Sequence, residues 1–523
     1  MFSRTRTFFR LLRTGWVLSR HDAMVPSEYA EFVPWFTRLL GWVSRMLAFG
    51  AGSKSDNPGE RLADALTELG PAYIKFGQVL ATRSDIFAGE FVEGLSKLKD
   101  RVPPFSMATA EKMIAKEWGV PWQTHLATLS EPVAAASIAQ VHKGVLHSGE
   151  TVAVKILRPD IERRMTRDMD VVEMIAKLSK VLSPYAKRLR PQEFVDTARR
   201  AVMLELDLRL EAAAASEMTE AARETGLFAV PAIHWDLGGK TVMVTEWIDG
   251  VAVSDPRILV DPAFDQKDIA RRVMQSFLAC SFDYGVFHAD MHEGNMIVLP
   301  DGELVLIDFG ILGRLSMREQ RFHTEILFGF LRRDYHRIAE IHFEAGYVPD
   351  GHSIEDFASA LRAVGEPIFG KNAADVPMHK VLLHLFEITE IFDMPMQPQL
   401  IMLQKTMMQT EGVCRRLDPA FDMWAVARPV VEDSIRGQFG LESQIGNVLH
   451  NFRQARRVLE TLPGATEDIA KLARAWSDGE IDLSGRVTVV EKDGWSSFGK
   501  GAALVGAGAA IAVGLQAAAG AWL

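Results

Sequence analysis

The chain of 523 residues has only two cysteines, Cys280 and Cys414. That scarcity excludes a disulfide framework and a cysteine-based zinc site, and it fits a reducing compartment. An excess of basic charge is also missing: 58 Lys and Arg stand against 68 Asp and Glu, for a formal net charge of -10. A surface that tracks phosphate backbones shifts this balance the other way, so no nucleic-acid partner is expected. The opening stretch "MFSRTRTFFRLLRTGWVLSRHDA" lacks an apolar run of signal-peptide length, so secretion is not expected. Internal repeats and low-complexity segments are absent ahead of the tail. What is present is 48% hydrophobic, enough for well-packed cores in two or three domains.

Both ends carry membrane-directed patterns. Arginines at 4, 6, 10, 13 and 20 alternate with Phe8, Phe9, Leu11, Leu12, Trp16 and Val17. Such a basic amphipathic helix suits an anionic membrane face; packing on its own domain and a mitochondrial presequence are the other readings. After Lys500, "GAALVGAGAAIAVGLQAAAGAWL" runs 23 residues without a charge. At about 1.5 Å per residue that is one membrane-spanning helix, with Lys500 favouring the cytoplasmic side. Ala502, Gly506, Ala510, Gly514 and Ala518 form a small-residue stripe on which a second copy can approach to make a homodimer.

Between the ends the predicted fold class is α+β. Residues 1–60 form the basic N-terminal region and a linker, "FGAGSKSDNPGE", Phe49 to Glu60. Residues 61–120 have helical periodicity broken at Gly70-Pro71. Residues 121–250 hold the hairpin "SIAQVHKGVL", "HSGE", "TVAVKIL", a helical insertion, and the strand of "KTVMVTEWIDG". Residues 251–480 are mostly helical around a short strand pair, "NMIVLPDGELVLIDFG", turned at Pro300-Asp301-Gly302. A polar connector, 481–500, leads to the anchor at 501–523.

Chemistry concentrates in "FHADMHEGNMIVLPDGELVLIDFG". Asn295 follows Asp290 by five residues, and Asp308 of "DFG" follows it by eighteen, the spacing of a protein-kinase-like catalytic loop. In that loop Asp290 positions or deprotonates the acceptor, while Asn295 and Asp308 hold Mg2+, a hard cation that takes carboxylate and amide oxygens. His288 braces the loop by hydrogen bonds, and His292 faces nucleotide or solvent. Upstream, "VAVK" ends at Lys155, placed on a strand to grip ATP phosphates and to pair with a helical glutamate. "LELDLRLEAAAASE" offers Glu205, Asp207 and Glu211 on one predicted helix, with Asp207 and Glu211 sharing a face and Glu205 about 160° from Asp207. Glu211 lies 56 residues after Lys155, so a helical insertion separates strand and glutamate. The loop "VAAASIAQVHKG" has alanines where glycines would let backbone amides approach phosphates. Ala134, Ala135, Ala136 and Ser137, with Lys155, Glu211 and Glu246, make up the nucleotide-facing set.

"KFGQ" (Lys75 to Gln78), "ATRSD", "LKDRVPP", "AAASIAQVH", "VAVKILRPDI", "ELDLRLEA", "HADMHEGN" and "DFG", in this order, resemble the UbiB family of atypical kinases, also called the ABC or aarF-domain-containing kinases. The resemblance spans about residues 62–315, and "EGVCRRLDPAFD", Glu411 to Asp422, extends it. It implies a two-lobed protein-kinase-like fold with an N-terminal helical extension whose KxGQ motif, Lys75, Gly77 and Gln78, lies over the active site. It also implies that Lys75 engages the ExD acids Glu205 and Asp207, that Glu211 partners Lys155, and that the alanine loop is a family mark. The implied cofactors are ATP and Mg2+. The implied activity is ATP hydrolysis or phosphoryl transfer supporting ubiquinone biosynthesis, or else a nucleotide-gated scaffold or lipid chaperone. The implied partners are membrane lipids, isoprenoid quinone intermediates and the biosynthetic enzymes, at the cytoplasmic face of a bacterial inner membrane or, in a eukaryote, the mitochondrial inner membrane. Met291 and Glu293 replace two prolines common in the family's loop, alanine replaces the asparagine common after Glu211, and one C-terminal span stands where two are frequent.

Overall fold

The computed structural model describes residues 2–23, 55–80, 94–95, 98, 102–182, 191–369, 384–385, 387–389, 391–394 and 398–439. The chain divides into a unit of residues 1–440 and a second of 441–523. The second unit, with the connector and the expected anchor at 501–523, lies outside the described residues. Among the described residues no helix is long and apolar enough to cross a membrane.

Helix α1, Phe2–Arg20, is seated on the extension rather than standing apart from it. Val17 is buried, Arg10 pairs with Asp168 at 2.9 Å, and the hydroxyls of Thr14 and Tyr73 meet at 2.9 Å. Helix α2, Pro58–Leu69, starts at Asn57, whose side chain accepts from the amides of Gly59 and Glu60, with proline at the first helical position. Those are strong start signals, so the expected linker ends three residues early and Pro58 to Glu60 form the helix's first turn. Gly70, at φ 115°, lets the chain turn at the predicted break into α3, Pro71–Leu80. A Cβ at Gly77 would stand 2.5 Å from a Leu98 methyl and 2.6 Å from a Leu66 methyl, so glycine is what lets α3 lie this close to α2. Their shared core continues into Met165 and Met169 of α5, Ile161–Leu182, and Ala198 and Val202 of α6, Pro191–Leu204.

The smaller lobe is a four-stranded sheet in the order β1-β2-β3-β4, from β1 Leu126–Ala135, β2 Ala139–Leu146, β3 Thr151–Leu157 and β4 Val242–Glu246. All its pairings are antiparallel, and the expected β2–β3 hairpin is present. Strand alternation then sorts β3 by face. Val152, Val154 and Ile156 pack under Ala110 and Ile114 of α4, Met107–Trp118. Lys155 points the other way, toward α7, Leu208–Thr225.

The larger lobe is built on α9, Gln266–Ala279, which follows the short α8, Arg257–Val260, and runs into a π turn, Cys280–Tyr284. Two small sheets hold its chemistry. One is β5 Val251–Ala252, β7 Met296–Val298 and β8 Leu304–Leu306; the other is β6 Val286–His288 with β9 Leu312–Arg314. The predicted β7–β8 turn forms at residues 300–302, where Gly302 has φ 86°. Helices α10 Met317–Arg332, α11 Tyr335–Ala345, α12 Ile354–Phe369, α13 Pro398–Leu417 and α14 Met423–Phe439 complete the lobe. Its core joins Phe277, Phe287, Leu304, Ile338, Val413 and Trp424.

Candidate active site

Strand β3 delivers Lys155 to a point where its Nζ lies 2.5 Å from Glu211 Oε1 and 3.3 Å from Asp308 Oδ1. The lysine and Glu211 side chains are 16% and 9% exposed, whereas Asp308 is 51% exposed. Burial alone would push Lys155 down, but the carboxylates of Asp308 and Glu211 outweigh it and hold the ammonium well above its usual range. Lys155 in turn holds Asp308 below the ordinary carboxylate range, against the opposing effect of desolvation. At Glu211 burial pushes upward and Lys155 pulls back. Lys155, held protonated by these carboxylates, is the donor in the 2.5 Å contact with Glu211.

The three acids of "LELDLRLE" do not share a helix. Chain direction changes between α6 and α7, and Asp207 becomes the N-cap of α7, accepting from the Arg209 amide at 3.1 Å. Aspartate's preference for that position wins over the helical periodicity on which one continuous helix was predicted. Asp207 also takes the Arg209 guanidinium at 2.8 and 2.6 Å, while Lys75 of α3 pairs with Glu205 at 2.8 Å. The charge of Lys75 also helps to hold Asp308 below the ordinary carboxylate range.

The Asp290 loop is braced by His288. Its Nε2 donates to the Ile307 carbonyl at 3.1 Å and its Nδ1 accepts from the Asp290 amide at 3.1 Å. One donor and one acceptor define a neutral ring, and burial holds the group below the ordinary histidine range. Asn295 Nδ2 donates to the Asp290 carbonyl at 3.1 Å, so the amide's nitrogen faces the loop backbone. Asp308 sits at φ 61°, a left-handed conformation that aspartate tolerates and that recurs at functional sites. His292 Nε2 is 3.9 Å from Asp290 Oδ2. Where prolines would stiffen the loop, Met291 is buried and Glu293 pairs with Arg416 of α13.

The alanine turn is closed on itself. Among the residues of positive φ none falls within 133–138. The Ala136 amide donates to the Ala139 carbonyl at 2.8 Å, so that amide is used in the turn. Arg158 donates to the Ala136 carbonyl at 3.0 and 2.8 Å and to the Val102 carbonyl at 3.0 Å. Ala134 and Ala135 line an open cleft of about 550 Å3 with Val102, Pro103 and Val133. Glu246 lies apart: it is opposite Val152, hence on the sheet face away from Lys155, and its carboxylate accepts from the Ala232 amide at 3.3 Å.

Sequence reasoning did not find Arg158, Thr406, Gln409 or Arg416. "VAVKILRPDI" and "EGVCRRLDPAFD" contain two of them, but nothing in the spacing says which backbone or loop they meet. Among the described residues no group of three or more His, Cys, Asp and Glu could hold a metal. Asp308 and Asn295 nonetheless fit Mg2+, which is commonly held by one or two protein oxygens together with substrate phosphates.

What this chain shares with kinases is the strand lysine, its glutamate and the Asp290 loop; what separates it is the arginine-tied alanine turn and the helical extension carrying Lys75. The fold and site are those of an atypical kinase-like protein. A family model described as the ABC1 atypical kinase-like domain matches residues 97–342, and one described as the UbiB helical domain matches 361–422. The "Probable protein kinase UbiB" of Marinobacter nauticus is 36% identical over 98% of this chain and 95% of its own length, and that of Pseudomonas putida is 37% identical over 87% and 84%. A solved Rv3197–erythromycin complex from Mycobacterium tuberculosis is 24% identical, with a TM-score of 0.48 over 76% of this chain and 97% of that one. The chain belongs to the UbiB family of atypical kinases.

Proposed function

We propose that this protein is a Mg2+- and ATP-dependent phosphotransferase or ATPase that supports ubiquinone biosynthesis at a membrane. The observation that carries the reading is Lys155 held between Glu211 and Asp308, in the lobes' shared site with the Asp290 loop. Glu211 keeps the ammonium extended toward phosphate oxygens. Asp308 and Asn295 would hold Mg2+, which supplies charge neutralisation on the phosphates when bound. Asp290 orients the attacking hydroxyl or water and takes its proton. Magnesium-dependent ATP turnover of purified Asp308→Asn should fall by about a hundredfold or more, the scale of losing a preorganised charge at a transferred phosphoryl group. Turnover at the wild-type rate would overturn the assignment.

Family membership supports the ubiquinone pathway, with quinone intermediates and biosynthetic enzymes as partners. Membrane attachment is supported by the outer face of α1, where Phe9, Leu12 and Trp16 are 65%, 52% and 41% exposed while Thr14 and Val17 pack inward. A fluorophore on a cysteine replacing Leu12 should shift to the blue with anionic but not zwitterionic vesicles, both native cysteines being buried. An unchanged spectrum would count against this face. The second reading, a nucleotide-gated scaffold, is favoured by the closed alanine turn. It predicts that Asp290→Ala still complements a quinone-deficient strain, and failure to complement favours catalysis.

A further inference from the structure

The loop bearing Asp290 is held by a helix outside the kinase-like match. That match ends at residue 342, whereas α13 lies in the UbiB helical region and partly beside the loop. Three side chains on one face of α13 reach it. Thr406 Oγ1 donates to the Ala289 carbonyl at 3.2 Å, Arg416 pairs with Glu293, and Gln409 Nε2 donates to Asp290 Oδ1 at 3.2 Å. Of these contacts only the last is to the Asp290 carboxylate itself. Turning the amide over would set Gln409 Oε1 against a carboxylate oxygen, two acceptors in contact, so N–H donation is the stable orientation. In that orientation Oε1 is buried without a hydrogen-bond partner. A buried orphan acceptor costs stability that an apolar side chain at the same helical position would avoid. The glutamine is therefore explained by what its other end does.

We infer that Gln409 is a positioning residue for Asp290. Its N–H occupies Oδ1 and fixes the carboxylate plane, leaving Oδ2 as the oxygen offered to the acceptor. A cleft of about 480 Å3 borders this arrangement, lined by Ser254, His292, Glu293, Gly294, Gln409 and Gly412 among others, and gives an acceptor room beside the loop. In the transfer, the acceptor oxygen bonds to the γ-phosphorus as the bond to the β–γ bridging oxygen breaks. Its electron pair leaves on ADP, and the hydroxyl proton passes to Oδ2. The inference rests on the reading of Asp290 given above.

The test is a double-mutant cycle in the full chain, reading Mg-ATP turnover and Mg-ATP affinity for Gln409→Leu, Gln409→Glu, Asp290→Asn and Asp290→Asn/Gln409→Leu. Both Gln409 variants should lose roughly tenfold to a hundredfold in kcat, the cost of misplacing a reacting group, at unchanged nucleotide affinity. In the Asp290→Asn background Gln409→Leu should cost nothing more, because a residue acting through Asp290 has nothing left to position. Wild-type turnover in both Gln409 variants, or losses that multiply in the double variant, would overturn the inference while leaving the catalytic reading intact. Wild-type turnover of Asp290→Asn alone would overturn the catalytic reading and this inference with it.

Discussion

Two lysines from distant parts of the chain are each tied to their own glutamate, Lys75 to Glu205 and Lys155 to Glu211. Lys75 and Glu205 are 14% and 12% exposed at 2.8 Å, so neither charge has much water to fall back on. A pair of this kind is sensitive to losing one member, because the survivor stays behind uncompensated. Lys75→Ala and Glu205→Ala should each destabilise the chain, and the double variant should recover part of the loss, with a coupling of about 1–3 kcal/mol. Urea midpoints of the four proteins measure it, and strictly additive losses would show that the pair is not coupled. The identity of these residues was legible from the KxGQ and ExD motifs, and so was the pairing of Lys75 with an ExD acid and of Lys155 with Glu211; that Lys75 takes Glu205 while Asp207 takes Arg209 was not. That choice depends on the chain break at Asp207, which turns Glu205 toward Lys75 and Glu211 toward Lys155.

At the scale of elements, the alanine turn between β1 and β2 shows how a side chain from a later strand end governs a loop. Arg158 removes two carbonyls, those of Ala136 and Val102, from solvent, and stacks its cation within 5.8 Å of the Phe105 ring centre. Arg158→Ala should free residues 133–138, raising their amide hydrogen exchange and changing nucleotide affinity by several-fold, since local opening follows the loss of such ties. Protection equal to wild type would mean the turn holds itself. Elements with strong local signals, the β2–β3 hairpin, the β7–β8 turn and the stop at Gly70, formed where their sequence places them. The boundaries that moved did so at caps: Asn57 pulled a helix start back into the linker, and Asp207 split one helix into two.

For the whole molecule, pH tests how the larger lobe is packed. His323, stacked on Tyr347, and His342, bonded through Nδ1 to the Ile338 carbonyl at 2.7 Å, are both pushed down to about 4 by burial. A histidine depressed in the folded state binds its proton more readily when unfolded. Its contribution is therefore fully present above the unfolded value near 6.5 and is lost as pH falls toward 4. Each is worth at most about 3 kcal/mol over that range. Thermal midpoints should drop between pH 7.5 and 5.0, and His323→Phe, which removes a ring nitrogen without a hydrogen-bond partner, should flatten the slope. An equal slope in the variant would place the pH dependence elsewhere, for instance at His288.

By itself the sequence determined the kinase-like class: Lys155, Asp290, Asn295 and Asp308 occur at the spacings of a kinase-like strand and loop, and the turn residues and helix caps around them are local in origin. Tertiary structure alone decided which of the two ExD acids Lys75 takes, the placement of Glu246 on the far face of β4, the tying of the alanine turn by Arg158, and the reach of Gln409 across more than a hundred residues to Asp290. The physical reason is range. Capping, strand alternation and turn formation are contests among neighbours in the chain, whereas an ion pair or a hydrogen bond between α13 and the Asp290 loop exists only once separate helices have packed and set which faces meet.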